Sequence, residues 1–72
     1  MLTYEYLNKD GSSSTFVYYP EGNRNAPGIV VIEEAGHGRI VESSKKDFGN
    51  RYAFHAIKGI DPAKHSGTIA WY

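Results

Sequence analysis

Ser44 to Ile60, SKKDFGNRYAFHAIKGI, is the stretch that decides the fold, because it carries a helix start, a helix body and a helix stop in succession. Ser44 with Asp47 three residues later has the side-chain pattern of a capping box, in which a hydroxyl and a carboxylate satisfy backbone N–H groups of a first helical turn. Phe48, Tyr52, Ala56 and Ile60 then recur every four residues, with Ala53 and Ile57 beside them. Apolar side chains at that spacing form one broad stripe along a helix. Lys58 sits where the negative end of the helix dipole falls, Gly59 can take the left-handed conformation that closes a helix, and Pro62 blocks continuation. The spacing predicts a helix over residues 45 to 58.

Gly49 and the pair Lys45-Lys46 oppose that reading, the first by lowering helix propensity and the second by placing positive charge at the positive end of the dipole. The rival is a strand. Extended, residues 51 to 57 would show Tyr52, Phe54 and Ala56 on one face and Ala53, His55 and Ile57 on the other, which separates no core from solvent.

Working outward, residues 2 to 8 alternate as a strand with Leu2, Tyr4 and Tyr6 on one face, and Asp10-Gly11 is a strong turn dipeptide. A second strand, Thr15 to Tyr19, is rich in β-branched and aromatic residues and stops at Pro20. After a polar loop, Ile29-Val30-Val31-Ile32 is a continuously apolar run, which reads as a strand covered on both faces and therefore central in the sheet. The segment 35 to 38 turns the chain into a short fourth strand, 39 to 42, and the helix follows. Thr68 to Tyr72 reads as a closing strand with Trp71 packed into the core. The order β-β-β-β-α-β over residues 1–72 predicts one α+β domain, an antiparallel sheet of about five strands with a single helix packed on one face.

A chain of 72 residues buries only about 60% of the surface its unfolded form exposes, so its own core gives little stability to spare. No cysteine is present, which removes disulfides and thiolate metal sites and suits a reducing compartment, here the cytoplasm. The first residues lack a basic region before a long apolar run, and no segment reaches the ~20 apolar residues that span a bilayer. The expectation is a soluble, unprocessed protein without a membrane role. Eight basic residues balance eight acidic ones, which removes the attraction that supplies most non-specific nucleic-acid binding.

No motif carries catalysis. His37 stands just after Glu33 and Glu34, but adjacent glutamates at a strand end point to opposite faces, so a solvated turn is expected rather than a metal site. Gly36-His37-Gly38 fails as a dinucleotide fingerprint, since the sixth position is Val41 and a strand follows. Arg51-Tyr52-Ala53-Phe54 lacks the second-position glycine of RNA-recognition strands and is placed on a helix. No cofactor or catalytic residue is assigned, and an enzyme ranks last among the classes.

The first-ranked class is a small interaction or structural module that self-associates as a homodimer. Its motivation is Phe54, which the helical wheel puts on the polar side with Arg51 and Lys58 flanking it at helical spacing. The alternative is a small-ligand module with an aromatic-lined groove near His55 and Tyr52, for which six tyrosines, three phenylalanines and one tryptophan supply the rings.

Overall fold

The computed structural model describes residues 1–34 and 36–71. Five strands, β1 (Leu2–Asp10), β2 (Ser13–Pro20), β3 (Gly28–Glu33), β4 (Gly38–Glu42) and β5 (Ser66–Ile69), form one sheet in the order β4-β3-β2-β1-β5. Every neighbouring pair is antiparallel. Between β4 and β5 the chain makes a 3-10 turn, Phe48–Asn50, and one α-helix, α1 (Arg51–Gly59), which packs on one face of the sheet. The α+β architecture with a single helix is that expected from the sequence.

Three local features explain the strands. Asp10 pairs with Ser13, so Gly11 and Ser12 make a two-residue hairpin turn, and Gly11 supplies the positive φ (62°) that such a turn requires. The β1–β2 register shifts between Tyr6 and Asn8, a bulge that leaves Leu7 outside the ladder and exposed. A second irregularity between β3 and β4 does the same to Val41.

Alternation then sorts the sheet into two faces. Leu2, Tyr4, Phe16, Tyr18, Val30 and Ile32 lie on the helix side, where Ala53, Ala56 and Ile60 close over them to form the core. The rings meet edge to face: Phe16 is 5.8 Å from both Tyr4 and Tyr6, with interplanar angles of 79° and 75°. Small alanines on α1 let the helix approach these large rings closely. On the opposite face Val17, Tyr19 and Val31 are also buried. Arg24 covers Tyr19 from 4.5 Å above the ring and is itself paired with Glu5 at 2.6 Å.

Some boundaries and positions differ from the sequence reading, each for a physical reason. β2 is the middle strand of the five and β3 lies beside it, an interior strand too: β2 is buried on both faces from Phe16 to Pro20 and β3 from Val30 to Ile32. β5 ends at Ile69, so Trp71 follows the strand; it is half-buried and packs against the core all the same. Tyr72, assigned to the closing strand, lies outside the described residues.

The helix is the largest departure. Lys45 and Lys46 form a turn, and helical structure begins at Phe48 rather than residue 45. Gly49 (φ 72°) and Asn50 (φ 59°) are both left-handed, which breaks the path between the 3-10 turn and α1. Phe48 therefore does not join the apolar stripe. It points outward and is 82% exposed.

Candidate functional site

The outward display at the start of α1 is built from a buried carboxylate. Asp47 Oδ1 accepts the N–H of Tyr52 and Oδ2 accepts the N–H of Ala53, both at 2.9 Å, so Asp47 caps the helix from four residues before its first turn. The left-handed pair Gly49-Asn50 is what folds the chain back far enough for this. Asparagine tolerates that conformation better than most residues, and its side chain is held by the Ser43 hydroxyl. Ser44, read from sequence as the cap, instead makes a local turn: its hydroxyl accepts the Lys46 N–H and donates to the Ala26 carbonyl at 2.6 Å.

Tyr18 locks this cap to the sheet. Its hydroxyl donates to Asp47 Oδ2 at 2.9 Å and accepts the Ser44 N–H at 3.1 Å. Burial pushes the Tyr18 phenol up to about 12; the Ser44 N–H opposes that rise and the Asp47 carboxylate adds to it. The phenol thus stays a neutral donor across the physiological range, which is the state the carboxylate needs.

Beyond the cap, α1 sends Ala53 and Ala56 inward and Phe54, Arg51 and Lys58 outward. Phe54 is 54% exposed. With Phe48, two phenylalanine rings on one short segment face solvent, while Phe16, the third, is fully buried. A ring on the surface gives up the burial that normally stabilises it by about 1.5 to 3 kcal/mol. The structure brings Phe54, Arg51 and Lys58 to one exposed face of α1. Phe48, which sequence reasoning placed in the core, is exposed just before the helix.

His55 and Tyr52 meet elsewhere, around Trp71. The His55 imidazole stacks on the indole at 3.9 Å with 9° between planes, and Tyr52 meets the same indole edge to face at 5.3 Å. Rings at that separation are in van der Waals contact, so His55, Tyr52 and Trp71 form one aromatic cluster. The Tyr52 hydroxyl donates to Glu21 Oε2 at 2.8 Å, and the Met1 ammonium binds the same oxygen at 2.7 Å. The ammonium first, and the hydroxyl second, hold Glu21 below its ordinary carboxylate value, while donation to Glu21 raises Tyr52.

At the other end of the helix-facing side lies a cavity of about 350 Å³ that sequence reasoning did not find. Its wall is the Tyr6 ring with His65 stacked on it at 4.9 Å, fixed by a 2.7 Å hydrogen bond from the Tyr6 N–H to the His65 carbonyl. Lys9, Ser12, Ser14 and Glu34 supply its polar groups. They come from β1, the hairpin turn, β2 and the end of β3, so no local sequence signal unites them. His37 is not among them: it is exposed in the β3–β4 turn, where its carbonyl accepts the Glu33 N–H. Among the described residues no three histidine or carboxylate side chains converge as metal ligands, and no helix is long and apolar enough to cross a membrane.

No protein-family model matches the chain, and neither does any curated protein or solved structure.

Proposed function

We propose that the domain is a small protein-interaction module that self-associates as a homodimer through the outer face of α1, in a reducing compartment such as the cytoplasm. The observation that carries this reading is the outward placement of Phe54, 54% exposed, between Arg51 and Lys58 on α1, with Phe48 82% exposed in the turn that precedes it. Aromatic and arginine side chains supply most of the energy at protein contacts, and a guanidinium placed over a phenylalanine face adds to it. In a two-fold contact each protomer offers the same surface, so Arg51 of one copy meets a ring of the other. Zero net charge leaves no long-range repulsion between two copies.

Two rings do not make an interface alone. A stable contact covers roughly 800 Å² on each partner, of which the exposed rings supply the centre and the flanking polar residues the rim. The ligand-groove alternative at His55 has less support, because Trp71 lies flat on the imidazole there.

Light scattering coupled to size exclusion, run at several concentrations, tests the reading directly. The expected result is a concentration-dependent dimer that Phe54→Glu and Phe48→Glu each dissociate while the helical circular-dichroism signal persists. A protein that is monomeric at high micromolar concentration ends it.

A further inference from the structure

The last row of side chains on the helix-facing side of the sheet turns polar at Lys9 and Ser14, where the preceding rows are apolar. Register sets Lys9 opposite Ser14 and Ser14 opposite Ile32, one step beyond the Tyr6–Phe16–Val30 row. The segment from Pro62 to His65 stands across from this row and closes the cavity on that side.

Two properties of the cavity point to a ligand. Ser14 is only 7% exposed, yet its hydroxyl makes no side-chain hydrogen bond among the described residues. Ser14 lines the cavity, and since no enclosed side-chain N or O atom among the described residues is left without a partner, its hydroxyl keeps some accessible surface there. Lys9 and Glu34 line the same space without pairing; the ion pairs among the described residues are Met1 with Glu21 and Arg24 with Glu5. One cavity therefore holds a free ammonium, a free carboxylate and an unused buried hydroxyl around an apolar floor at Ile32.

We propose that this cavity binds a small zwitterion of the α-amino-acid type with an apolar side chain. An anion would meet Glu34 and a cation would meet Lys9, whereas a zwitterion satisfies both. The ligand carboxylate takes Lys9 and the hydroxyls of Ser12 and Ser14 as donors, its ammonium donates to Glu34, and its side chain lies along Ile32 and the Tyr6 ring. The volume is at the small end of the range of roughly 300 to 1,000 Å³ for small-molecule sites, which fits one amino acid. The Tyr6–His65 stack and the backbone hydrogen bond beneath it hold the wall in place before binding, which limits the ordering cost.

The test is nuclear magnetic resonance titration of the full chain with L-leucine, with leucinamide, which lacks the carboxylate, and with isocaproate, which lacks the ammonium. L-leucine should give saturable shifts at Lys9, Ser14, Ile32 and His65, and each analogue should bind at least about tenfold more weakly. Lys9→Met should erase the preference over leucinamide, and Glu34→Gln the preference over isocaproate. Both residues are exposed, so the variants keep the wild-type circular-dichroism spectrum. The proposal is overturned by the absence of saturable shifts with L-leucine or L-phenylalanine up to about 20 mM, or by a singly charged analogue that binds as tightly as L-leucine.

Discussion

Replacing Asp47 with alanine removes one carboxylate and strands three donors, which makes it the most informative single perturbation of this fold. The Tyr52 and Ala53 N–H groups lose their cap, a loss of about 1 kcal/mol where water can partly take over. Tyr18 is worse placed: its hydroxyl is fully buried, and an unpartnered buried donor costs about 1 to 3 kcal/mol. The expected total is about 3 kcal/mol, a large part of the roughly 4 to 11 kcal/mol available to a domain of this length. Urea unfolding at neutral pH, followed by Trp71 fluorescence and by circular dichroism, measures it. Tyr18→Phe alone should cost less, since it also removes the stranded donor, and combining it with Asp47→Ala should cost less than the two singles together. A loss under about 1 kcal/mol for Asp47→Ala, or strict additivity of the pair, would refute the role of Asp47 and Tyr18 as a joint anchor for the helix start.

Three further outcomes follow from the same geometry. Because Tyr18 is raised from 10.0 to about 12 when folded, its contribution is intact below pH 10 and is lost as pH climbs toward 12. That loss amounts to roughly 2 to 3 kcal/mol, and alkaline unfolding of the wild type should be steeper than that of Tyr18→Phe. A Cβ at Gly28 would overlap the ring of Tyr18, which is fully buried and cannot swing away, so Gly28→Ala should cost at least about 1 to 3 kcal/mol by urea unfolding. Trp71→Ala removes the platform under His55 and Tyr52; at half burial it should cost about 2 kcal/mol and lower the melting temperature by about 8 to 16 °C, and an unchanged melting temperature would show that the indole contributes nothing.

Those elements whose signals are local were readable in the sequence. Alternation marked β1, β-branched and aromatic content marked β2, Asp10-Gly11 marked the hairpin, and the Tyr52-Ala53-Ala56-Ile60 spacing marked the buried face of α1. The helix start was not readable, because its cap is a carboxylate reaching over a left-handed pair and secured by a tyrosine on a distant strand. A helical wheel drawn from residue 45 assumes a continuous path, and so it turned Phe48 inward when the break at Gly49 and Asn50 turns it out. β3 is interior and covered on both faces as its unbroken apolar run implied, while the middle place belongs to β2, whose Val17 and Tyr19 are buried by neighbours that it gains only in the sheet. Of the candidate site residues, Phe54, Arg51 and Lys58 fall on the exposed face anticipated for them, while His55 and Tyr52 serve the packing of Trp71.

The pairing of β5 with β1 separates this fold in time. Leu2 lies opposite Ile69, whereas β1 through β4 follow one another as hairpins. Leu2 and Ile69 are far apart along the chain, so pairing them closes a long loop, whereas each hairpin of the meander closes a short one and forms in roughly microseconds. Until β5 docks, the edge of a β1–β4 meander is β1, an unpaired ladder carrying Tyr4 and Tyr6. Closure of the sheet comes with the segment that also brings His65 onto Tyr6 and Trp71 onto His55. The long-range strand thus covers the ladder of β1, and a chain in which β5 is displaced is the form most exposed to pairing with its own copies.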